Sequence, residues 1–143
     1  MSQIQPLSSI VDNLQELSMS KGEGIMTGTN FKNEYGRDDE IAFAGGDIHN
    51  AYSKMYNMYK MAKDTDTSGN KFEISNNTKD DFNIEIVIKD MEFALENLNS
   101  AINRLKVYDD DKITNLTKQL KNIRENISEH KSRIENTGVI FIQ

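Results

Sequence analysis

The chain has 143 residues, with 23 acidic and 17 basic side chains, a net charge of −6 and no cysteine. No disulfide, thiolate nucleophile or cysteine metal site can form, and the absence of clustered Lys and Arg argues against a phosphate-backbone binder. The length fits one domain, and no apolar run of about 18 residues is present to cross a membrane.

The start, MSQIQPLSSIVDNLQ, lacks a basic head and an apolar stretch, so no Sec signal is expected. Localisation stays open: cytoplasmic synthesis, followed by non-classical export or incorporation into a particle. Leu7, Ile10, Val11, Leu14 and Leu17 recur at helical spacing and predict a short amphipathic helix over 7–19. Pro6 suits its first turn. Residues 20–46 read as a linker punctuated by six glycines, including Gly45 and Gly46, so residues 1–46 form an extended or partly disordered arm. Isolated Ile25, Phe31, Tyr35, Ile41 and Phe43 are candidates to dock on a neighbour.

A second helix is expected over 47–63 with Asp47 as N-cap. Ile48, Ala51, Tyr52, Met55, Met58, Tyr59 and Ala62 share one face, which serves either as core or as an adaptable contact surface. Residues 64–80 are polar, with a short strand at 71–75. Residues 82–88, FNIEIVI, alternate strictly and predict a strand. A helix starting there is the competing assignment, because Ile84, Val87, Ile88 and Met91 also fit a helix.

From Asp90, a candidate cap, Met91, Leu95, Leu98, Ala101, Ile102 and Leu105 follow helical spacing to about Val107. Asp109, Asp110 and Asp111 then read as a helix N-terminus, where negative charge meets the positive end of the macrodipole. Ile113, Leu116, Leu120, Ile123, Ile127, His130 and Ile134 alternate in steps of three and four, a heptad seam with polar flanks. The two frames disagree across the aspartates, so the pair predicts an antiparallel hairpin with a longer second helix whose overhang must pack on something else. Gly138 stops it. The apolar tail 139–143 needs a sheet edge, such as the 82–88 strand. The expected fold is mainly α: a coiled-coil-like hairpin, one or two further helices, and a small β element near 71–88 within a helical domain spanning 47–138.

Candidate sites are few. Asp64, Asp66, Ser68 and Gly69 match the first half of a calcium loop, but Lys71 and Ser75 stand where an apolar residue and a bidentate Glu belong. His49 and His130 are the two histidines, in no metal-binding spacing. No nucleophile elbow, P-loop or dinucleotide motif appears, so no catalytic, cofactor or metal site is expected. Gly45-Gly46 ahead of a helix is a weak anion-site pattern.

The stretch DMEFALENLNSAINRLKVYDDDKITNLTKQLKNIRENISEHKSRIENTG, over residues 90–138, resembles the C-terminal coiled-coil half of type III secretion filament and needle-tip proteins. Asp90-Met91-Glu92 stands at the family's helix start, and Ile113 to Ile134 at its coil. The Ser- and Gln-rich N-terminus suits the same class. The resemblance implies a secreted, self-assembling subunit. The residues alone point more broadly to a non-catalytic structural subunit of a multi-subunit particle, such as a phage virion. Its partners would be copies of itself or other proteins, with no nucleic acid and no membrane span. The contacts would be Leu95, Leu98, Ile102, Leu105, Ile113, Leu116, Leu120, Ile123, Ile127 and Ile134 on the hairpin, with Tyr52, Met55 and Tyr59. The rivals are a small helical chaperone or adaptor that holds a partner helix, and a calcium-regulated binding module.

Overall fold

The computed structural model describes residues 5–20, 24–25, 35–36, 38–65 and 69–143. The protein is mainly helical, with small antiparallel β elements. The helices are α1 (Leu7–Ser18), α2 (Asp39–Thr65), α3 (Ile84–Leu105) and α4 (Asp111–Thr137). The strands are β1 (Met19–Ser20), β2 (Gly24–Ile25), β3 (Lys71–Glu73), β4 (Thr78–Lys79), β5 (Phe82–Asn83) and β6 (Val139–Phe141). Among the described residues no helix is long and apolar enough to cross a membrane.

Each helix contributes one apolar stripe to a single core. From α4 come Ile113, Leu116, Leu120, Ile123, Ile127, His130 and Ile134, all buried. From α3 come Val87, Met91, Ala94, Leu98, Ala101 and Leu105. From α2 come Ile41, Ala44, Ile48, Ala51, Met55, Met58 and Ala62, and from α1 Leu7, Ile10, Val11, Leu14 and Leu17. Burying each of the larger side chains contributes about 1.5–3 kcal/mol. Cross-helix bonds give the directions. Arg104 reaches Glu40 and Asp47, Asn50 donates to Asn97, and Lys54 meets Asp90, so α2 and α3 are antiparallel. Arg124 donates to Asn99 across the hairpin of α3 and α4. Gln5 meets His130, while Asn13 and Glu16 share a groove with Gln119 and Asn122, so α1 runs antiparallel to α4. The result is an up-down-up-down bundle in which α1 packs chiefly on α2.

Several sequence expectations need correction. The second helix begins at Asp39, not Asp47, so the linker ends eight residues earlier than its glycines suggested. Asp38 accepts from the Glu40 amide and caps the turn, Asp39 and Glu40 suit the positive helix end, and Ile41 and Ala44 extend the apolar stripe backwards. Packing outweighs the roughly 1 kcal/mol per residue that an interior glycine costs, and Gly45 and Gly46 therefore sit inside a helix rather than ahead of one. Asp47 is not a cap but an ion-pair partner of Arg104. Asp90 likewise lies mid-helix beside Lys54.

The strand expected over 82–88 stops at Asn83. The Asn83 side chain accepts from the Ile86 amide and starts α3 at Ile84, so the helical reading of that ambiguous run prevails. The strands pair differently too: β4 with β5, and β3 with the tail strand β6, in the register Lys71–Phe141, Phe72–Ile140 and Glu73–Val139. The tail thus finds its edge at 71–73 and not at 82–88. At both ends of α4 expectation and structure agree. Asp110 caps α4 by accepting from Lys112 and Ile113 amides at 2.9 and 3.2 Å. Gly138, at φ +70°, terminates it by donating to the Ile134 carbonyl.

Candidate interaction surfaces

The residues expected to make contacts lie mostly inside the chain itself. Leu98, Ile102, Leu105, Ile113, Leu116, Leu120, Ile123, Ile127, Ile134 and Met55 are buried in the core, and Leu95, Tyr52 and Tyr59 are partly buried against it. The seam is filled by the protein's own helices. The overhang of α4 is met by the N-terminal segment and by β6 folding back.

His130 sits fully buried in that overhang. With Nε2 protonated, the ring donates to the Gln5 carbonyl just ahead of α1. Burial pushes its pKa down, and Arg133 adds to that, against the opposing pull of the Gln5 carbonyl and Glu129. Its Nδ1 and the Gln5 side-chain Oε1 are both buried without a partner. Ser8 donates its amide to the Ile142 carbonyl at 3.0 Å, the second bond joining this end of α1 to the C-terminus.

The outer face shared by α2 and α3 is different. Phe43 is 55% exposed and Phe93 41% exposed. The Arg104 guanidinium lies 5.2 Å from the Phe43 ring centroid, and the Lys54 ammonium 5.1 Å from that of Phe93. Arg104 is itself held at 3.0 Å by Glu40 and 3.1 Å by Asp47. Partial desolvation lowers its pKa, and the two carboxylates more than reverse that, leaving it raised. Lys54 is held at 3.5 Å by Asp90. Midway between the two clusters Asn50 donates to Asn97 at 3.3 Å. Each end of the face therefore carries a cation, a carboxylate and an exposed phenylalanine, arranged about a central amide pair. A shallow groove beside Arg104 is lined by Glu40, Glu96, Asn99, Ser100 and Asn103.

A second aromatic row follows α2. The rings of His49, Tyr52 and Tyr56 stand 6.2 and 5.8 Å apart in sequence, and Lys63 covers Tyr59. Burial raises the Tyr52 pKa, and the neighbouring Tyr56 adds to it. At the hairpin turn, burial raises the Tyr108 pKa, as does its hydrogen bond to Asp38.

Phe93, Arg104 and Lys54 do not stand out in the apolar pattern because each lies off the stripe of its helix, whereas Phe43 is one of the linker residues expected to dock on a neighbour and is exposed. The available signal was Phe93, a large apolar residue outside the seam register of an otherwise polar face. Of the isolated apolar residues in the expected linker, Ile41 is core and Tyr35 packs against it. Phe31 and the Ile25 side chain lie outside the described residues. So do residues 66–68 of the calcium-like loop, whose Asp64 and Thr65 form the last turn of α2. Among the described residues no group of three or more acidic or histidine side chains is placed to hold a metal ion.

No protein family, curated protein or solved structure matches the chain.

Proposed function

We propose that this chain is a non-catalytic structural subunit that assembles through the outer face of α2 and α3. The observation that carries this is the pair of exposed phenylalanines, each under a cation whose carboxylate partners fix it in place. Aromatic and arginine side chains dominate the energetics of protein contacts: rings bring large area with few rotamers to freeze, and an arginine already held by carboxylates has less freedom left to lose. The two-ended layout about Asn50 and Asn97 suits a contact between two copies related by a twofold axis, where one patch meets itself. A secreted filament or tip component is the particular form of such a subunit that the resemblance of residues 90–138 favours.

Light scattering with size exclusion tests it on the full-length chain and on the Phe43→Asp, Phe93→Asp double variant. Both side chains are largely outside the core, so the variant should keep its helical signal and its melting temperature. The wild type should form defined multimers at high concentration and the variant should remain monomeric. Equal sizes for the two proteins would refute the contact, and a wild type that is monomeric throughout would refute self-assembly.

A further inference from the structure

We infer that α1 is an exchangeable helix, and that the groove it fills between α2 and α4 accepts the α1 of a second copy of this chain. The inference stands apart from the α2·α3 contact proposed above.

Three seams of the bundle are closed by extensive packing: α1 on α2, α2 on α3, and α3 on α4. The fourth, between α1 and α4, is sparse. At its middle lies a groove lined by Asn13, Glu16, Gln119, Asn122 and Ile123, four of them polar. At its end lies the junction of Gln5 with His130, where two buried polar atoms go unpartnered. A buried polar atom without a partner weighs against the junction. Among the described residues, this side of α1 is tied by the His130–Gln5 bond to α4 and by the Ser8–Ile142 bond to the C-terminal tail, beside one edge of the α1 stripe.

The stripe itself cannot stay in water. Leu7, Ile10, Val11, Leu14 and Leu17 are all buried, and a 12-residue helix is marginal without a surface to lie on. If α1 leaves its groove it must find an equivalent one, and the groove built to its shape is the one vacated on another copy. The covalent connection permits this. A chain as long as the stretch from 26 to 38 can span at most about 45 Å, comparable with the roughly 40 Å length of α2. An exchanged α1 makes the same contacts as before, so the balance is set by concentration. The tether supplies an effective concentration of about millimolar, and exchange should grow as the protein approaches that level.

Because the chain has no cysteine, introduced thiols report without background. Asn13→Cys and Asn122→Cys face the same groove from α1 and α4. The full-length double variant, oxidised at high dilution, should crosslink within one chain. The two single variants, mixed at roughly millimolar concentration and gently oxidised, should give covalent heterodimers. Their yield should be well above that of Asn13→Cys mixed with Glu92→Cys, whose thiol would lie exposed on α3. If the double variant closes within the chain but the mixed variants give no more heterodimer than the control pair, exchange does not occur. If the double variant fails to close, the α1–α4 seam is not the contact described, and the inference falls with it.

Discussion

The hairpin of α3 and α4 and the N-terminal helix α1 sit in the same core but owe their structure to different things. α3 has a side-chain cap at Asn83, an acidic first turn at Glu85 and a basic last turn at Arg104. α4 has its cap at Asp110, an acidic first turn at Asp111 and a left-handed glycine stop at Gly138. These caps and stops agree with the tertiary arrangement, although α4, like α1, has no basic residue in its last turn. α1 has no acidic residue in its first turn and no basic residue in its last. The Pro6 carbonyl starts it by accepting from the Ser9 and Ile10 amides, but what chiefly holds it helical is the covering of its five apolar side chains. Local specification makes the hairpin a frame, whereas α1 is a passenger whose hold depends on one face and one junction.

Paired deletions in the core should show this most strongly. Leu120 on α4 and Leu14 on α1 are both fully buried. Leu120→Ala should cost about 2–5 kcal/mol, because a cavity between well-fixed helices cannot collapse. Leu14→Ala should cost less, since α1 can shift to close the space or open alone. Urea unfolding of both variants measures the difference. Equal costs would mean that α1 is as firmly fixed as the hairpin.

A smaller loss is expected where the hairpin meets the sheet. A Cβ on Gly138 would lie 2.6 Å from both Cβ and Oγ of Ser75, at a φ of +70° that side chains avoid. The Gly138 carbonyl also accepts from the Ile74 amide at 2.8 Å, so the chain cannot easily move aside. Gly138→Ala should cost about 1–3 kcal/mol in thermal or urea unfolding. Adding Ser75→Gly should recover the part due to the clash and leave the part due to the backbone. A double variant no more stable than the single one would place the whole cost in the left-handed conformation.

The same contrast decides what could be read from the sequence. The α4 seam, the Asp110 start and the Gly138 stop were legible because period, cap and terminator are local and coincide. The tail's need for an edge was legible as a type of contact, but not its partner. β3 and β6 are far apart in sequence, and no local feature records that pairing. The start of α2 was misread because two glycines inside a helix look like a linker until the core that outweighs them is known. The 82–88 run carries both periods at once, and the Asn83 cap was the deciding feature. The outer α2·α3 face was hidden for a related reason. Glu40, Phe43, Asp47, Asn50 and Lys54 acquire meaning only beside Asp90, Phe93, Asn97 and Arg104, and the sequence alone does not set that register.

The smallest effect concerns one proton, and it bears on the junction that sets the two regions apart. His130 is neutral in the fold because burial holds its pKa below the ordinary 6.5. Its contribution is therefore fully present above about pH 6.5. As the pH falls through that value towards the folded-state pKa, the unfolded chain takes up the proton first, and stability is lost. Carboxylates titrate over part of the same range, so the comparison is with His130→Leu, which keeps them all. The wild type should lose stability relative to this variant as urea midpoints are followed from pH 7.5 down to 5.5. Among the described residues, the charged groups acting on the ring are Arg133 and Glu129 of its own helix, and from the N-terminal segment it meets the uncharged Gln5. Identical slopes for the two proteins would show that the ring does not titrate in the fold's favour. The proton arrives at the buried, unpartnered Nδ1 and places a charge at the junction with Gln5, while the Nε2–H bond to the Gln5 carbonyl remains. Acid should therefore loosen α1 before the hairpin. Hydrogen exchange should therefore quicken at Ile10–Leu14 while the Leu116–Ile127 amides stay protected. Simultaneous loosening of both would make α1 part of the frame.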